Sequence, residues 1–72
     1  MNLKKLDLHG LKHHEVAIKV ENFVLLNQQS LPLEIVCGKS QKMMEIVTNV
    51  LDEIDCENYI IKDFGTIIVR KI

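Results

Sequence analysis

Two short apolar runs, each closed by a glycine and each followed by a stretch of helical periodicity, constrain this chain more than any other feature. Leu3–Leu8 alternates, with Leu6 and Leu8 on one face and Lys5 and Asp7 on the other, as a strand buried on one side does. His9-Gly10 ends it. From His13 to about Gln28, the positions Val16, Ala17, Val20, Phe23 and Val24 recur at helical spacing. Gln28-Gln29-Ser30 breaks that pattern. Leu31-Pro32 then opens an extended segment, because proline pushes the residue before it out of the helical region. Leu33–Cys37 is short and apolar, as expected of a buried strand. Gly38–Gln41 turns the chain into a second helix, Lys42–Ile54, with Met43, Val47, Val50, Leu51 and Ile54 inward. After the polar turn Asp55–Asn58, two strands, Asn58–Lys62 and Thr66–Ile72, join around Asp63-Phe64-Gly65. Gly65 there supplies the positive φ of a short hairpin loop.

The order is therefore β-α-β-α-β-β, an α/β domain with a four-stranded mixed sheet and two helices. Strands separated by helices are expected to run parallel through right-handed crossovers, with the last strand antiparallel at or near an edge. Helices on one face or on both fit the pattern equally. Seventy-two residues leave no room for a second core, so residues 1–72 form one domain. Apolar residues make up 47% of the chain, enough to fill that core.

Charge and composition exclude several classes. With nine basic and ten acidic residues the net charge is −1, which argues against tight binding of nucleic acid by bulk charge but leaves room for a local basic patch. Aromatics are only 4%, too few for a stacking platform. Two cysteines, Cys37 and Cys56, do not make a disulfide framework, and reduced thiols are expected. Nothing in Met1–Lys5 resembles a signal peptide, and no apolar run approaches the ~20 residues that span a membrane. The expectation is a cytoplasmic protein with no membrane partner.

In open α/β sheets ligands gather beyond the carboxyl ends of parallel strands. His9-Gly10 and Gly38-Lys39-Ser40 follow the first two strands, so neighbouring strands would set these loops side by side. Asp7 and His9, two apart, would point to the same face. The carboxylate could orient the imidazole for proton transfer, or each could contact a substrate or metal separately. The plainer reading of an isolated Asp-x-His is a solvent-facing Asp7 at a strand end, with His9 capping a turn. Gly38, Lys39, Ser40 and Lys42 surround the start of a helix, whose free N–H groups and dipole suit a phosphate. A plain strand-to-helix turn with Ser40 as N-cap explains the same residues. A P-loop does not, because Leu33 stands where its first glycine belongs. His9, His13 and His14 read as surface histidines rather than a zinc set. Cys37 beside His9 is a third-ranked nucleophile, with no visible oxyanion hole. Tyr59, Phe64 and Met43-Met44 read as core or core-edge residues.

Leu6-Asp7-Leu8-His9-Gly10-Leu11, a helix, then Ile35-Val36-Cys37-Gly38-Lys39 and the late Gly65 with Ile67-Ile68-Val69 resemble the Smr (small MutS-related) domain, over Leu6 to Ile72. The resemblance implies a fold similar to the C-terminal domain of translation initiation factor three. It implies binding of DNA or RNA, and nicking or RNA-cleaving endonuclease activity as an option. Asp7 and His9 match the motif implicated in cleavage, with a divalent cation such as Mg as an optional cofactor on Asp7. Gly10, Cys37, Gly38, Lys39, Ser40 and Lys42 become the nucleic-acid contacts. Gly38 matches the first glycine of the second motif. The chain departs from the family pattern: Cys37 replaces the usual His or Thr, and Ser40 replaces the second glycine. The family's Leu-Arg pair is missing, with Met43-Met44-Glu45 in its region. These departures support the alternative, a non-catalytic module that binds nucleic acid, a ribosome or a protein.

Overall fold

The computed structural model describes residues 3–72. Its elements run β1 (Lys4–Asp7), α1 (His13–Leu26), β2 (Leu33–Val36), α2 (Gln41–Glu53), β3 (Asn58–Asp63) and β4 (Thr66–Lys71). Each expected element is present, with ends displaced by a residue or two. The largest displacement has a local cause. The Asn27 side-chain amide donates to the Phe23 carbonyl at 2.7 Å, which closes α1 early and leaves Gln28–Ser30 as a separate 3-10 turn.

One four-stranded sheet forms in the order β1-β2-β4-β3. β1 and β2 pair in parallel, and β4 runs antiparallel to both β2 and β3. The last strand is thus antiparallel and lies near an edge, as expected, one place in with β3 outermost. Composition explains the placement. In β4, Ile67, Ile68 and Val69 are all buried, whereas β3 leaves Ile60 and Ile61 exposed and carries Lys62 and Asp63. The more apolar strand takes the position with neighbours on both sides, and the charged one takes the edge.

Strand parity settles which faces the helices cover. Leu33, Ile35 and Cys37 from β2 and its end share one buried cluster with Ile67 and Val69 of β4. Val16, Val20 and Val24 of α1 and Met43, Val47, Val50 and Leu51 of α2 complete that cluster. Both helices therefore pack on one face. The crossovers from β1 to β2 and from β2 to β3 step in the same direction across the sheet, so equal handedness keeps their helices on one side. The opposite face carries Lys5, Glu34, Ile68 and Ile60 in one cross-strand row. Lys5 Nζ lies 4.0 Å from Glu34 Oε2 in that row. Among the described residues, no helix is long and apolar enough to cross a membrane.

Candidate functional site at the strand ends

Because strand order does not reverse between the two crossovers, the fold has no switch-point crevice of the doubly wound kind. The carboxyl-end surface is built instead by adjacency. In the parallel register Asp7 is opposite Val36, and one step further the Leu8 N–H donates to the Val36 carbonyl at 2.9 Å. The β1–α1 turn and the β2–α2 loop consequently leave the sheet side by side. A third reversal joins them. The Cys37 N–H donates to the Gly65 carbonyl at 2.6 Å, seating the tip of the β3–β4 hairpin against the β2–α2 loop. Gly65 has φ +107°, and a Cβ placed on it would lie 2.6 Å from the Gly38 carbonyl oxygen. Only glycine meets both demands.

The sequence-derived site residues lie in these two loops or next to them, though Cys37 is buried and others take unexpected roles. Leu8-His9-Gly10-Leu11 forms a turn in which the Leu11 N–H donates to the Leu8 carbonyl at 3.1 Å. Gly10, at φ +83°, supplies the left-handed third position that such a turn needs. β1 ends at Asp7, so the two-residue alternation that would align the Asp7 and His9 side chains does not extend to His9. Asp7 Oδ1 instead accepts from the His9 backbone N–H at 2.8 Å, an Asx turn that shapes the chain reversal. His9 itself is exposed at the turn.

At the second loop, Gly38 has φ +69° with nothing within 4 Å of where a Cβ would sit, and its carbonyl accepts from the Ser40 N–H at 2.8 Å. Ser40 is the N-cap of α2: its Oγ accepts from the Met43 N–H at 3.2 Å. That bond uses a lone pair and leaves the hydroxyl proton free to be donated outward. Gln41 and Lys42 N–H groups remain in the first turn, with no acidic residue among them. The start of α1 differs, because Glu15 Oε1 accepts from the Lys12 N–H at 3.1 Å and brings a carboxylate to that terminus. Of the two helix starts, α2 is the better anion receptor. Lys39 and Lys42 flank it, both exposed. Lys12, at the N-cap of α1 on the same end of the sheet, is an exposed cation that the motif reading passed over.

Cys37 requires a correction. Its side chain is 3% exposed and lies in the core, and its N–H is taken by Gly65. It offers neither side chain nor amide to a ligand. Burial pushes its thiol from 9.0 up to about 11, the reverse of what a thiolate nucleophile needs. The consequence for stability has a definite sign. A thiol that holds its proton more tightly when folded stabilises the fold fully below about 9, and that contribution is lost as pH rises toward about 11. Wild type should therefore lose more stability than Cys37→Ala between those two pH values, read as midpoints of denaturant unfolding. Iodoacetamide at pH 8 should modify Cys56, which is only partly buried, well before Cys37. Equal labelling rates in a peptide map would contradict the burial.

Phe64 is the second correction. Expected in or near the core, it is 59% exposed at the hairpin tip. Docking of Gly65 on Gly38 orients the turn through backbone contacts and holds the ring outside. Tyr59 is half-buried and donates its hydroxyl to Asp52 Oδ1 at 3.1 Å. For a cation, the donor set is narrow: among the described residues no three His, Cys, Asp or Glu side chains converge. Asp7 alone fits Mg only where phosphate oxygens and waters complete the octahedron. Comparison with protein-family models, with curated proteins and with solved structures finds no match to this chain.

Proposed function

We propose that this chain is a nucleic-acid-binding domain of the Smr type that seats a phosphodiester on the rim formed by its strand ends. The observation that carries the reading is the in-register parallel pairing of β1 with β2, which puts the Gly10 turn beside the start of α2. The motif resemblance and the cations Lys39, Lys42 and Lys12 support it. Gly38 and the free amides of the first turn receive the phosphate, the Ser40 hydroxyl donates to it, and the lysines neutralise it. Fluorescence anisotropy with structured RNA and DNA tests this: binding should weaken steeply between about 50 and 200 mM salt. Absence of binding to either at the lower salt contradicts it.

Cleavage is the further step in this proposal, and His9 is the residue that would carry it. An exposed imidazole beside a bound phosphodiester can move a proton to or from an attacking or leaving oxygen. The free oxygen of Asp7 could share a Mg ion with that phosphate, which would stabilise developing charge. His9→Ala should lower the rate of nicking or RNA cleavage by about 100-fold or more, measured on a panel of structured substrates. Equal rates for the two proteins remove His9 from the chemistry. One observation favours a second reading, a non-catalytic module for RNA, a ribosome or a protein: Asp7 Oδ1 is already engaged by the His9 backbone amide. Salt-sensitive binding with no cleavage at any metal tested selects that reading.

A further inference from the structure

Beside the strand-end rim lies a groove of about 660 Å³, walled on α2 by Gln41, Met44 and Glu45 and on the hairpin by Ile61, Asp63 and Phe64. That size falls within the ~300–1,000 Å³ of small-molecule sites. Its floor is apolar, and Phe64 and Ile61 are 59% and 56% exposed there. Both walls belong to elements that also reach the rim. Gln41 is the first residue of α2, and Phe64 is bonded to Gly65, whose carbonyl holds the Cys37 N–H. Backbone contacts thus hold the residue after Phe64 against the loop that carries Lys39.

We propose that one unpaired base of a bound nucleic-acid strand enters this groove and stacks on Phe64, while the adjoining phosphate rests at the start of α2. This inference depends on the nucleic-acid reading above. Charge decides which group goes where. Glu45 and Asp63 repel a phosphate from the groove, and Lys39 and Lys42 draw it to the rim. Among the described residues neither carboxylate is in an ion pair. A carboxylate accepts hydrogen bonds from a base edge rich in donors, and the guanine edge presents an N–H and an amino group side by side for a two-pronged contact. The occupant is therefore an unpaired guanine, from a loop, a bulge or a single strand. A base inside a duplex stays stacked and cannot reach the ring. Scarcity of aromatics is no obstacle, since one exposed ring serves one base.

The test uses the full chain and three RNA probes with the same number of phosphates: a hairpin with a guanine-containing loop, the same hairpin with a uridine loop, and a blunt duplex. Wild type should bind the guanine loop most tightly. Phe64→Ala should weaken that binding about tenfold and leave the duplex affinity unchanged. Because the residue is exposed, the variant should unfold at the same temperature as wild type. Phe64→Leu should behave like Phe64→Ala, and retained affinity would overturn stacking. Glu45→Gln should bring the guanine loop to the level of the uridine loop; retained preference would overturn the guanine assignment. Lys39→Ala should weaken all three probes. If Lys39→Ala weakens all three while Phe64→Ala weakens none, the base site is wrong and the phosphate rim stands. If wild type binds none of them, the underlying reading fails and takes the base site with it.

Discussion

Gly65→Ala is expected to cost about 3–5 kcal/mol of folding stability, against about 1–2 kcal/mol for Gly10→Ala. Both glycines have positive φ, +107° and +83°, so both substitutions strain the backbone. They differ in what a new methyl group meets. At Gly10 nothing lies within 4 Å, whereas at Gly65 the Gly38 carbonyl oxygen would lie at 2.6 Å. That neighbour is backbone and cannot rotate away as a side chain would. Relief requires the hairpin to lift from the β2–α2 loop, which breaks the bond from the Cys37 N–H to the Gly65 carbonyl. Domains of this size sit toward the low end of the usual ~5–15 kcal/mol, so Gly65→Ala should leave much of the chain unfolded at room temperature. Urea unfolding followed by circular dichroism measures both variants. Costs within about 0.5 kcal/mol of each other would show that the hairpin tip is not seated on the loop.

The second large effect concerns binding. Removing both Lys39 and Lys42 should weaken RNA or DNA binding roughly 100-fold near 0.1 M salt, and flatten the dependence of log K on log salt by about two units. Each lysine that releases one counterion contributes about one unit of slope and roughly tenfold in affinity at that salt. Bulk charge must be controlled, because the same substitutions take the chain from −1 to −3. Lys4→Ala/Lys19→Ala removes the same charge away from the rim, at the start of β1 and in the middle of α1. That control should lose far less affinity. Equal losses for the two pairs would mean that the strand ends hold no particular place for phosphate.

The fold was readable because periodicity and burial agree along most of the chain. Val16, Val20 and Val24, at helical spacing, are each fully buried, and so are Leu33 and Ile35 at alternate positions of β2. Strand order was less readable. β4 inserts between β2 and β3 because a short hairpin makes β3 and β4 neighbours and the Ile67-Ile68-Val69 run suits the interior, a comparison between strands that no single window contains. The site was legible at its glycines, since Gly10, Gly38 and Gly65 each mark a positive φ. It was less so at the side chains. The Asp7 carboxylate turned out to hold a backbone amide, and Cys37 faces the core by the same alternation that buries Leu33 and Ile35. Phe64 was misplaced for a different reason. An aromatic in a hairpin tip reads as core until the docking of its neighbour on another loop is known.

The binding expectations rest on three chain reversals forming one surface that receives an anion. Amide ¹H–¹⁵N shifts recorded while a short single-stranded RNA is titrated into the full chain test that most directly. The largest changes should fall on His9, Gly10, Gly38, Lys39, Gln41 and Lys42, with Gly65 responding through its contact to the loop. Changes centred on Lys5, Glu34, Ile68 and Arg70 of the uncovered sheet face, with the strand-end amides still, would contradict it.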